Sequence, residues 1–93
     1  MIGVLTLHLQ FPGCASLKEK RGRLKPLLAR LHKEFNVSTA EMDMLNKWDE
    51  SIIACAMVGN DAAHLRRSLQ TILKWVGQTR RDVEFIEEHI ELI

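Results

Sequence analysis

The chain has 93 residues, enough for one small domain and not two. Hydrophobic residues make up 46% and charged residues 27%, which excludes a disordered or fibrous chain. The formal net charge of +1 excludes a wholesale polyanion binder, and no apolar run approaches the ~18 residues that span a bilayer.

Residues 2–11 alternate in polarity. Gly3, Leu5, Leu7, Leu9 and Phe11 point one way, and Ile2, Val4, Thr6, His8 and Gln10 the other. This is the period of a strand with one strongly apolar face, not the leader of a secreted protein, which needs a basic start. Pro12-Gly13 ends it. Ser16-Leu17-Lys18-Glu19 is a capping-box pattern with the acid three residues after the cap. Leu17, Leu24, Leu27, Leu28, Leu31 and Phe35 then recur at helical spacing, predicting an amphipathic helix over 17–35. Pro26 inside it removes a backbone donor and presses on the carbonyl of Gly22, so a kink is expected near 22–26.

Residues 36–44 read as a second strand and residues 49–59 as a third, built on Ile52-Ile53-Ala54-Cys55-Ala56-Met57-Val58. A continuous apolar run of strand length predicts burial on both faces. Asn60-Asp61 supplies a second N-cap. Leu65, Leu69, Ile72, Leu73 and Val76 mark a second helix, with Gly77 as its expected C-cap. Residues 83–93 form a last strand, with Ile86, Ile90 and Leu92 expected on one face.

The order β-α-β-β-α-β is the ferredoxin-like pattern of an α+β protein. Right-handed crossovers place both helices on one face of a four-stranded antiparallel sheet, with the first and third strands central. Residues 1–93 form one such domain, with no linker, repeat or low-complexity stretch.

Charge is balanced in sum and uneven in placement. Lys18–Lys33 holds seven basic residues against Glu19, and Arg66–Arg81 holds five with no acid. Glu41–Glu50 holds four acids against Lys47, and Asp82–Glu91 holds five with no base. The basic blocks fall on the two helices and the acidic blocks around the edge strands. A helix N-terminus flanked by cations suits phosphate. Ser16, Lys18, Lys20, Arg21 and Lys25, with Arg66 and Arg67 of the second helix, are therefore the candidate anion- or nucleic-acid-binding residues. The central strands lack the aromatic residues that stack RNA bases, so contact through the sheet face is not expected.

The remaining chemistry is sparse. Cys14 precedes the first helix with no histidine near it in sequence, and Cys55 sits in an apolar strand. Both read as reduced thiols in a cytoplasmic protein. His8, His32, His64 and His89 have no metal-ligand spacing, although His8 and His89 belong to strands that become neighbours. No metal, cofactor, membrane contact or enzymatic activity is expected. The third strand, apolar on both faces, predicts a homodimer through the sheet face or an edge. The reading is a non-enzymatic RNA- or ribosome-binding protein using a basic helical face. The alternative is a homodimeric protein-interaction module without nucleic acid.

The stretch Phe11-Pro12-Gly13-Cys14-Ala15-Ser16-Leu17-Lys18-Glu19-Lys20-Arg21 resembles the PGxxSLKEKR segment of the small bacterial YlxP-like family of unknown function. Phe35-Asn36-Val37-Ser38 with Ala40-Glu41 is similar to its FNVSVAE. Trp48, Ile53-Ala54 and Val58-Gly59-Asn60-Asp61 resemble its third strand and turn, and Ile90-Glu91-Leu92 its closing strand. Gly22 and Pro26 depart from the family's first helix. The resemblance implies a ferredoxin-like fold. Many members are encoded among translation and ribosome-maturation genes, which implies RNA or ribosome work and gives added weight to Lys18, Lys20 and Arg21.

Overall fold

The structure, a computed structural model, describes all residues Met1–Ile93. Strand β1 (Ile2–Gln10) leads to helix α1 (Leu17–Phe35) and strand β2 (Ser38–Asp43). Strand β3 (Glu50–Val58), helix α2 (Ala62–Thr79) and strand β4 (Glu84–Leu92) follow. The sheet runs β2-β3-β1-β4, antiparallel throughout, with β1 and β3 central. This is the ferredoxin-like α+β architecture that the element order predicts.

The core lies between the sheet and the helices. β1 contributes Leu5, Leu7 and Leu9, and β3 contributes Ile53 and Cys55, all fully buried. The register sets Leu5 opposite Cys55 and Leu7 opposite Ile53, so the apolar row of one strand meets that of the other. Helix α1 adds Leu24, Leu27 and Leu31, and α2 adds Leu65, Leu69, Ile72 and Val76. Burial alone raises the Cys55 thiol to about 11, which leaves it protonated and inert. Gly3 lets α2 approach β1: a Cβ there would stand 3.0 Å from the Leu69 side chain.

Both helices begin on the residues that capping chemistry selects. Ser16 Oγ accepts from the Glu19 backbone N–H at 3.1 Å. Glu19 returns its carboxylate to the Ala15 N–H at 2.8 Å, one residue earlier than the expected box partner. Asp61 Oδ1 accepts from the N–H groups of Ala63 and His64. Helix α1 runs unbroken through exposed Pro26 and stops at Asn36, whose left-handed backbone (φ 51°) suits asparagine.

Three expectations need correction. Gly77 does not end α2: the helix continues to Thr79, and Arg80 is its C-cap. Gly77 answers a close approach instead, since a Cβ there would lie 3.4 Å from the Phe85 ring. In β4 the pairing with β1 shifts between His8 and Leu9, so Phe85, Ile90 and Leu92 sit opposite the inward row while Ile86 is pushed out and exposed. The third correction concerns β3. Ser51, Ile53 and Cys55 are buried, but Ile52, Ala54 and Ala56 on the other face are only half-buried within one copy.

The cap carboxylate makes α1 sensitive to acid. The Ala15 N–H first, and then Arg23 Nη2 at 2.9 Å, hold Glu19 below the usual carboxylate range. The folded chain therefore binds fewer protons here than the unfolded chain across that range, so this contribution exists above it and is lost as pH falls through it. Urea unfolding from neutral pH downward should show Glu19→Gln losing less stability than the parent chain between neutral and acid pH.

Candidate functional site

The SLKEKR segment forms the first turn and a half of α1, and its charged residues part company there. Lys20 is completely buried. It occupies the same row as Leu24, Leu27 and Leu31, at i, i+4, i+7 and i+11, so it faces inward like a core leucine. Its Nζ donates to Glu41 Oε2 at 2.9 Å, to the Met44 carbonyl at 2.8 Å and to the Glu50 carbonyl at 3.1 Å. The Leu45 carbonyl stands farther off at 3.5 Å. Glu41 Oε2 also accepts from buried Ser51 Oγ at 2.6 Å. An ammonium has three donors, and all three are answered. Lys20 is thus withdrawn from the anion-binding set: its charge belongs to the joint between α1 and the β2–β3 turn. That turn includes Met44 in a left-handed conformation (φ 61°), disfavoured by roughly 1 kcal/mol for a residue with a side chain. The carbonyl bond from Lys20 helps hold it.

Ser16 is exposed, but its hydroxyl oxygen is engaged as the helix cap. Lys18, Arg21 and Lys25 are exposed and have no ion-pair partner. They recur at i, i+3 and i+7, which makes them one row on the outer side of α1. Arg23 and Arg30 do not extend it. Arg23 pairs with Glu19 and Arg30 with Glu34, and the Arg30 guanidinium also lies 5.0 Å above the Trp75 ring of α2. Phe35 meets the same ring edge-on at 5.4 Å, and Arg80 donates to the Arg23 carbonyl. These contacts fasten the two helices side by side.

Helix α2 presents Arg66, Arg67 and Lys74, all exposed and without ion pairs. Arg67 and Lys74, seven residues apart, share its outer row. Lys33 completes the set near the end of α1. The two acids inside the helices, Glu19 and Glu34, are both paired within α1, so no free carboxylate interrupts the layer.

The acidic side is simpler than the sequence suggests. Around β2 and β3, Glu41 pairs with Lys20, and Glu50 pairs with His8 at 2.8 Å and with Lys47. Lys47 first, and then His8, hold the Glu50 carboxyl below its usual range. Only β4 keeps unpaired carboxylates in number, at Glu84, Glu87, Glu88 and Glu91. His8 and His89 do come together: with Thr6, Ile52, Glu87 and Glu88 they line a depression of about 200 Å³ on the open face. No group of three or more His, Cys, Asp or Glu residues is placed to share a metal ion. Cys14 Sγ donates to the Ser16 carbonyl at 3.5 Å, beside the Glu19 carboxylate.

One residue escaped the sequence reading as a candidate. Trp48 is 55% exposed in the β2–β3 turn, beside exposed Leu45. Lys20 ties this turn to the start of α1. Its position between two strands, outside any apolar periodicity, was the available signal.

The profile of the family described as "Protein of unknown function (DUF503)" matches residues 2–90. The chain belongs to this family. It is 32% identical over 76 residues to "Uncharacterized protein YlxP" of Bacillus subtilis (strain 168), covering 82% of this chain and 83% of that one. The resemblance read in the SLKEKR segment thus holds along the chain. Among solved structures, SnoaB, a cofactor-independent oxygenase from Streptomyces nogalater, superposes with a TM-score of 0.64 at 13% identity, covering 99% of this chain and 92% of that one. The structural-genomics protein YJCS gives 0.61 at 11% identity, over 100% of this chain and 99% of that one. The de novo designed protein Foldit4 gives 0.59 at 14% identity, with the same coverage. At such identities these likenesses concern the fold alone. No helix is long and apolar enough to cross a membrane.

The two lysines of the segment should behave oppositely. Lys20→Met leaves Glu41 without its counter-charge and the Met44 and Glu50 carbonyls without this donor, and should cost about 3–5 kcal/mol in urea unfolding. Lys18→Met should change stability by no more than about 0.5 kcal/mol.

Proposed function

We propose that this protein is a non-enzymatic RNA-binding protein that meets the phosphate backbone, on free RNA or on a ribosomal subunit, with its helical layer. One observation carries the reading. Lys18, Arg21, Lys25, Lys33, Arg66, Arg67 and Lys74 are all exposed on two adjacent helices, and none has a carboxylate partner. Basic surface residues of folded proteins are commonly interspersed with acids. Here both helix acids are neutralised by arginines of their own helix, and the free carboxylates gather on β4. A polyanion approaching the helices meets an uninterrupted positive field and releases its counterions on contact.

The arrangement favours backbone contact over base readout. The cations lie on flexible stems along two helices, and their spacing imposes no pattern that selects one base. Trp48, exposed in the β2–β3 turn, offers a ring for stacking an unpaired base, which suits single-stranded segments.

The test is binding of nucleic-acid-free protein to a fluorescent single-stranded RNA across a salt titration. Binding should weaken steeply with salt. Replacing Lys18, Arg21 and Lys25 together with Gln should reduce the slope of log K against log salt by about 2, at about 0.7 per phosphate contact. Far-UV circular dichroism should be unchanged, since none of the three supports the core. An unaltered slope in the triple variant would refute the reading.

A further inference from the structure

We infer that the open face of the sheet, opposite the helices, is the contact surface for a second copy of this chain. This inference does not depend on RNA binding. One end of that face is apolar, with Val4 on β1 opposite Ala56 on β3 and Ala54 next along β3, while Thr6, His8, Gln10 and Glu50 make its other end polar around Ile52. Large hydrophobic side chains stand exposed around it. Ile2 and Val58 are paired neighbours there at 42% and 82% exposure, and Ile93 bonds to Ile2 from the other side. Met42, 61% exposed, borders an apolar trough of about 300 Å³ that includes Val4, Ala40, Ala54 and Ala56. No large hydrophobic side chain is exposed on either helix. The exposed large hydrophobic side chains therefore all lie off the basic helical layer.

The size of the face fits a dimer. Four strands about 4.8 Å apart and about 30 Å long present a surface of roughly 550 Å². That is about a tenth of the 5680 Å² accessible surface of the chain, the usual share for one partner. Two copies bury about 1,100 Å², at the threshold for a stable and specific interface. The apolar patch around Val4, Ala54 and Ala56 is flanked by polar groups, His8 and Glu50 at one end of the central strands and Glu87 and Glu91 along β4.

Charge selects the occupant. The four strands contain no lysine or arginine, and unpaired carboxylates line one edge, so an anionic lipid surface is repelled from this side. Of the ways two copies can meet, helix against helix would press unpaired cations together. Sheet against sheet sends the two basic layers to opposite outer faces, as far apart as the molecule permits. The contact is isologous, so it closes as a two-fold dimer and does not propagate. The product is a four-layer particle with a basic surface on each side.

Sedimentation equilibrium of the full chain at micromolar concentration tests this directly. The parent chain should weigh about twice 10.7 kDa. Ala56→Arg, in the centre of the trough, should reduce it to the monomer mass. Met42→Lys, at a position already exposed in a single copy, should weaken the dimer at least tenfold while retaining the parent circular dichroism, and so reports on the face even if Ala56→Arg disturbs folding. Lys18→Glu on the helical layer should leave the mass unchanged. A monomeric parent chain overturns the inference, as does a dimer that survives Met42→Lys undiminished; the latter result points to edge-strand pairing.

Discussion

A single buried ammonium organises the half of the molecule that matters most. Lys20 reaches from the second turn of α1 under the β2–β3 turn, and binds one carboxylate and two close carbonyls there. A charge in that position is strongly disfavoured unless all its donors are satisfied. The requirement ties together the start of α1, Glu41 on β2 and the left-handed Met44 that turns the chain back into β3. The cap of Ser16 and the return bond from Glu19 set the helix start that places Lys20 correctly. Half of the SLKEKR segment is therefore architecture.

The other half is surface, and its charge map follows from the same pairing. Because Glu41 is engaged by Lys20, and Glu50 by Lys47 and His8, the acidic stretch around β2 contributes little free negative charge. Because Arg23 and Arg30 hold α1 against itself and against α2, they leave the outer cations unscreened by helix acids. The result is a helical layer of unpaired cations, an acidic β4 edge, and, opposite the helices, a sheet face with an apolar patch. Each surface suits a different kind of contact.

Much of this was legible in the sequence, for identifiable reasons. Element order and the bounds of α1 follow from clean alternation, a serine cap and the helical spacing of Leu17 to Phe35. The inward rows of β1 and β3 follow from period two. Lys20 was misread because residue type was allowed to outweigh position: its spacing to Leu24, Leu27 and Leu31 already placed it on the buried row. Gly77 was misread because a glycine marks a close approach as readily as a helix end, and only the Phe85 ring decides which. Ile86 was misplaced because one extra residue in a strand inverts the alternation beyond it without changing composition. Which arginines are free depended on side-chain pairing across helices, which no single-chain spacing displays.

Nitrogen-detected NMR of the lysine ammonium groups, with and without single-stranded RNA, tests the division of this segment most directly. Lys20 should give a slowly exchanging signal, protected by its three hydrogen bonds, that RNA leaves in place. Lys18 and Lys25 should exchange quickly when free and shift when RNA is added. A Lys20 signal that exchanges as freely as the others, or that moves with RNA while Lys18 and Lys25 stay still, would contradict the assignment of one lysine to the fold and its neighbours to the interface.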